Sequence, residues 1–364
     1  MSDRLLLVGT RKGLWIGRQP VGSEAPWSWT GPHFLMQEVY ACCIDTRGDA
    51  PRLLVNGHSP HWGPGVFTSD DLGHEWAETD GGAAVRFPAD LGASVERAWQ
   101  ITPGIDDTTI WVGTQPSALF VSRDRGGSFE LVRSLWDHPH REQWSAGFGG
   151  QAVHSILPHP TDPDRVMVAM STGGVYQTTD GAQSWNPTNT GIRVYFLPDE
   201  WPEFGQCVHK IARHPARPDR VFAQNHHGVY RSDDGGTSWT SIADGLPSDF
   251  GMTMVVHPQQ PDTIFVFPLV ADGERIPPNG HAAVWHSTDA GESWVRSESG
   301  LPDDAWTNVM RDAMCTDDAP DGTAAGLYLG TRDGCVYASF DDGASFTELR
   351  RHLPDVYCVR AAVI

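Results

Sequence analysis

Residues 231–239 read RSDDGGTSW, a turn ending in a tryptophan, and the chain writes it again and again. TSDDLGHEW (68–76), QTTDGAQSW (177–185) and HSTDAGESW (286–294) are near copies. VSRDRGGSF (121–129) and ASFDDGASF (338–346) end in Phe instead. The shared form is Ser/Thr-x-Asp-x-Gly-x-x-Trp/Phe, with Ala182 alone replacing the Gly. Its chemistry is local. An Asp carboxylate accepts hydrogen bonds from backbone N–H groups further along the turn, and the hydroxyl joins the same set. Gly adopts a positive φ without a Cβ clash. The aromatic starts the next strand and buries its ring.

The six Asp stand at 71, 124, 180, 234, 289 and 341, in steps of 53, 56, 54, 55 and 52. A fixed period near fifty marks a repeat architecture. VHSILPHPTDPDRVMVAMSTGGVYQTTD (153–180) lies over VHKIARHPARPDRVFAQNHHGVYRSDD (208–234), and MVVHPQQPDTIFVFP (254–268) copies the first half. Four short strands per unit, with almost no helical periodicity, predict all-β propeller blades. The end DVYCVRAAVI (355–364) resembles the unit opening EVYACCID (38–45), and LLLVGTRKGLWIG (5–17) resembles the mid-unit LYLGTRDGCVYAS (327–339). The expected fold is therefore a seven-bladed β-propeller, one domain over 1–364, closed by pairing the two chain ends. The blades run approximately 38–91, 92–150, 151–205, 206–250, 251–304 and 305–354, with the last made of 355–364 plus 1–37. Closure removes exposed sheet edges.

The repeated turn is the Asp-box, or BNR repeat, and the chain resembles the BNR-repeat, sialidase-like and sortilin-like seven-bladed propellers over nearly its whole length. The resemblance implies a "glycosyl hydrolase, BNR repeat" type of protein. It also implies that the turns join third and fourth strands, away from the usual binding face. Sialidase activity itself is not supported. The Arg275-Ile276-Pro277 triplet matches a sialidase motif but falls ahead of the fifth turn instead of the first, and reads as coincidence.

A formal net charge of −20 over 364 residues argues against nucleic-acid backbones and anionic membranes as partners. The apolar run Leu5–Val8 is too short for a secretory signal, and no window reaches membrane-span length. The chain thus reads as cytoplasmic, and its six cysteines, without CxxC spacing, as reduced thiols.

Sites in a propeller form from the loop leading into each first strand and the loop between second and third strands. His154 and His209 share a Gly-Gln-x-Val-His-x-Ile frame, and Tyr40 and Tyr357 align with them, so the four are expected to ring the axis. His58, His61, His138, His140, His226, His227 and His281 crowd the same face, whereas His159, His214 and His257 belong to His-Pro turns. Two chemistries follow. His58, His61, His154, His209 and His226 could hold a divalent metal ion. Alternatively, His154 or His209 acts as general base, Tyr40 or Tyr357 as proton donor, and Arg97, Arg311 or Arg360 holds a carboxylate. That set suits β-elimination of an acidic sugar. The competing reading makes His154 and His209 packing residues. The expected function is a glycosidase- or lyase-like enzyme acting on a sugar or small molecule; the alternatives are a metal-dependent lyase or oxidoreductase and a non-catalytic binding scaffold. Long loops at 136–153, 192–208 and 269–283, carrying Trp136, Trp144 and Trp201, are larger than closure needs and fit either an enzyme or a scaffold.

Overall fold

The computed structural model describes residues 2–59, 63–78, 85–147, 150–320 and 322–364, so His61 lies outside the described residues. Among these the chain forms 28 strands, one four-residue α-helix (Arg133–Trp136) and three 3-10 turns. No helix among them is long and apolar enough to cross a membrane.

The strands fall into five four-stranded sheets and one eight-stranded sheet. A representative sheet runs Val208–Arg213, Val221–Asn225, Val229–Ser232 and Thr240–Ser241, antiparallel throughout. In the eight-stranded sheet, Val309–Thr316 meets Val356–Val363 through one parallel bridge, Asp312 to Cys358. That narrow junction separates two antiparallel groups of four. In the second group the C-terminal strand Val356–Val363 pairs with Asp3–Thr10, from Arg4 opposite Val363 to Thr10 opposite Val356. The chain ends are thus joined in one ladder, as the sequence reading expects. The first strands adjoin one another in chain order, and Val356–Val363 also adjoins Glu38–Asp45.

Strands buried on both faces read as continuous apolar runs. Val166–Met170 is buried at every position. Apolar layers fill the space between consecutive sheets: Met167, Ala169 and Val175 of one pack against Val208, Ile211, Val221 and Trp239 of the next.

Each repeated turn joins a third strand to a fourth. In the copy at 231–239, the Ser232 hydroxyl donates to Asp234 Oδ1 at 2.7 Å, and the Gly236 N–H donates to Ser232 Oγ at 2.8 Å. Ser238 donates its N–H to Asp234 Oδ1 and its hydroxyl to Oδ2, at 2.9 and 2.6 Å. The copy at 177–185 keeps the same bonds with Ala182 at φ 67°. The residue after the Asp is also left-handed, at φ 62° for Leu72 and 61° for Arg125. The terminal indoles then fasten neighbouring sheets: Trp239 Nε1 donates to Thr188 O and Trp294 Nε1 to Ile242 O, each at 2.8 Å. The His-Pro turns are also built alike, with His214 Nδ1 accepting from Ala216 N at 3.0 Å and His257 Nδ1 from Gln259 N at 3.1 Å.

Candidate functional site

The first strands share a defect that positions the site. Their ladders slip register between Val153 and Ser155, between Val208 and Lys210, and between Ala98 and Gln100. Such bulges re-aim side chains and are common beside active sites. The residues at the slips are His154, His209 and Trp99.

These aligned positions divide into two groups. On one side Tyr40 and Tyr357 stack at 4.4 Å with Trp99 beside Tyr40 at 5.2 Å, and Arg97 lies over the Tyr40 ring. Tyr40 donates its hydroxyl hydrogen bond to Glu38 Oε2 at 2.9 Å, and burial pushes its phenol far above the usual range. On the other side His154, His209 and Arg311 are all buried. Arg311 bridges the two groups, its guanidinium 5.8 Å from the Trp99 ring centre.

A cavity of about 490 Å³ opens on the second group. His209, His226, Arg311 and Arg275 line it together with Cys207, His227, Asp272, Tyr195 and Phe196. His209 Nδ1 donates to Gly251 O at 2.6 Å, which leaves the Nε2 lone pair facing Cys207 Sγ at 3.5 Å. Burial holds the His209 imidazole well below its ordinary pKa, hence neutral. His226 Nε2 bonds Asp272 Oδ1. Burial outweighs the pull of that carboxylate, so a neutral His226 sits beside an ionised Asp272. Its Nε2–H is then the donor, leaving Nδ1 as the basic nitrogen. His227 Nδ1 lies 3.2 Å from Asp249 Oδ1, and this hydrogen bond raises its pKa.

Arg311 is 7% exposed, and its Nε has no hydrogen-bond partner among the described residues. A buried cation without a carboxylate partner costs several kcal/mol. Burial accordingly lowers the pKa of its guanidinium. The side chain lines the cavity wall.

The remaining sequence candidates lie elsewhere. Arg360, expected to hold a substrate carboxylate, instead holds Asp312 at 2.5 Å; Lys210 reaches the other oxygen of that carboxylate, and Gln100 approaches it at 3.5 Å. These side chains bridge first strands from different sheets, so the Arg360 charge is already spent. Arg97 is occupied by Tyr40 and by Gln115 Oε1 at 3.4 Å. Tyr40, Tyr357 and His58 do not line the cavity. His58 pairs across the strands with Glu38 and joins no cluster of metal-donor atoms among the described residues. His154 is sealed beneath the wall, its Nε2 3.1 Å from Ser171 Oγ and its Nδ1 without a partner.

Sequence reasoning left Cys207, His227, Asp272 and Arg275 out of its site set. A signal existed for the first, because a Cys and a His two residues apart share one face of an extended chain. Arg275, set aside as a coincidental match, is delivered to the cavity by the loop after Leu269.

No family model matches the chain. It is similar to a xyloglucanase of Paenibacillus sp, 23% identical over 275 residues, covering 65% of this chain and 25% of that protein. It is similar also to an oligoxyloglucan-reducing end-specific xyloglucanase of Emericella nidulans, 25% identical over 236 residues, covering 56% and 28%. The chain thus spans about a quarter of the length of these relatives. Among solved structures it resembles an ancestral GH74 enzyme, with TM-score 0.58, 17% identity and coverage of 85% of this chain and 38% of that one. YCF48 from Cyanidioschyzon merolae gives TM-score 0.53 at 13% identity, covering 89% and 88%. These likenesses give the chain a nearly all-β, propeller-type fold of four-stranded sheets, and at these identities they speak for fold alone.

Proposed function

We propose that the chain is a seven-bladed propeller of the Asp-box type, closed by its terminal strands. On this reading the cavity at its channel mouth is the sugar site of a carbohydrate-active enzyme that cleaves a glycosidic bond in a substrate bearing an anionic group. The observation that carries the reading is Arg311, buried on the cavity wall with an unpartnered Nε. A carboxylate on the sugar supplies its missing partner through charge-assisted hydrogen bonds. Tyr195 and Phe196, about half exposed on the same wall, offer apolar faces for a pyranose ring. Similarity to xyloglucanases supports a sugar ligand, while the cationic wall favours an acidic sugar over a neutral glucan.

For the bond-breaking step, the residues favour elimination. Glycoside hydrolysis ordinarily uses two carboxyl groups flanking the scissile bond. Asp272 is the one carboxylate among the described lining residues, and His226 already engages it. Elimination needs only anion neutralisation, a base and a proton source. Arg311 neutralises the sugar carboxylate. His227, oriented through Nδ1 by Asp249, presents Nε2 to remove the proton on the adjacent carbon. A double bond forms as the glycosidic C–O bond breaks, and Tyr195 returns a proton to the leaving oxygen.

The test is product analysis on uronate-containing oligosaccharides and on neutral xyloglucan oligosaccharides. The expected product carries an unsaturated, ultraviolet-absorbing end and incorporates no water, and Arg311→Met and His227→Ala lose it. Hydrolysis of the neutral oligosaccharides at equal rates in wild type and both variants would overturn the reading.

A further inference from the structure

We propose that Cys207, His209 and His226 bind one divalent ion of zinc type on the wall of the cavity. One donor atom from each of these residues lies within 4.8 Å of the others. The donor set is one sulfur and two imidazole nitrogens. Thiolate and imidazole suit zinc and its borderline neighbours, whereas magnesium and calcium require oxygen cages. Three protein donors facing a cavity leave a coordination position open, the arrangement of a reactive zinc as opposed to a structural one.

The outer bonds already match metal duty. A metal-bound histidine ordinarily donates its second N–H to a carbonyl or carboxylate, which fixes the tautomer. His209 gives Nδ1–H to Gly251 O at 2.6 Å, and His226 gives Nε2–H to Asp272. Each ring is thus left with one lone pair, on Nε2 of His209 and Nδ1 of His226. Backbone geometry ties the donors together, since His226 N–H donates to Cys207 O at 2.8 Å. Binding releases the Cys207 thiol proton, so the bound ion and thiolate carry a net single positive charge. With Arg311 adjacent, that charge calls for an anionic ligand in the open position. The ion site goes beyond the sugar reading and is judged by its own signal, so either can fail without the other.

The experiment uses the full chain, stripped with a chelator and titrated with Zn(II) and, separately, Co(II). The expected result is one equivalent of either ion, with a thiolate-to-cobalt charge-transfer band in the near ultraviolet. Cys207→Ser removes that band, and His209→Ala weakens zinc binding more than about 10-fold. His154→Ala stays within about twofold of wild type, because His154 lies outside the donor set. Melting curves of each variant check folding, and the near-isosteric Cys207→Ser decides the matter if His209→Ala does not fold. Substoichiometric metal, a cobalt spectrum without the thiolate band, or unchanged affinity in Cys207→Ser overturns the site.

Discussion

His154 and His209 occupy the same place in neighbouring repeats, behind the same Gly-Gln-x-Val frame and at the same register slip. Even the flanking backbone bond is shared: Ser171 N–H donates to Ala152 O, and His226 N–H to Cys207 O. The side chains differ. Around His154 stand Ala152 and Ser171; around His209 stand Cys207 and His226. The first histidine is a sealed wall residue, and the second belongs to a donor cluster that faces open space. The repeat therefore supplies position, and two differences beside one copy supply the donor cluster.

Reverting one copy to the other breaks the comparison most sharply. Cys207→Ala with His226→Ser recreates the surroundings of His154. Zinc affinity should fall more than about 100-fold, while folding free energy, read by denaturant titration, stays within about 2 kcal/mol. Retained affinity would mean that the donors are not these residues.

Arg311→Met probes the wall that both histidines border. Removing a buried charge without a carboxylate partner should raise stability by about 1–3 kcal/mol, visible as a higher melting temperature. A drop instead would show that Arg311 has a structural partner. The same variant should lose turnover of the acidic sugar, so stability and function move in opposite directions.

The repeated turns should respond in the opposite way, through stability alone. Asp234→Ala removes the acceptor for Ser232 and Ser238 and should cost about 1–2 kcal/mol by thermal denaturation, with ligand and metal binding unchanged. The hydrogen bond from Ser293, followed by that from Ser287, holds the Asp289 carboxyl down to about 2. A folded-state pKa below the unfolded value stabilises fully above the ordinary carboxylate range and is lost as pH falls toward the folded value. The melting gap between wild type and Asp289→Asn should therefore shrink from about pH 4 to about pH 2. The smallest effect belongs to Ala182→Gly, which relieves an alanine at φ 67° and should stabilise by about 1 kcal/mol in the same assay.

The two regions also differ in how far the sequence exposes them. The turn is legible because Ser232, Asp234, Gly236 and Trp239 act within nine consecutive residues, and recurrence fixes the alignment of strands. Pairing of 355–364 with the N-terminal strand was readable for the same reason, as copies of known unit parts. The cavity draws on segments near 146, 172, 196, 207, 227, 273 and 311, which meet only once the sheets are placed. Recurrence pointed to His154 and His209 equally, since it reports position and not partners. Cys207 is answered by Ala152 in the preceding repeat, and Asp272 lies in a loop insertion, so recurrence of a residue type marks neither. Arg360 misleads because its charge suggests a ligand, whereas its partner Asp312 stands on the adjoining strand Val309–Thr316, 48 positions away in sequence.

Whether the wall built around Arg311 selects an anionic sugar is decided by calorimetric titration with a matched pair of oligosaccharides. One member carries a uronate and the other its neutral hexose counterpart. The uronate should bind about 10- to 100-fold more tightly, a margin lost in Arg311→Met. Equal affinity for the two, or a preference for the neutral sugar, would contradict it.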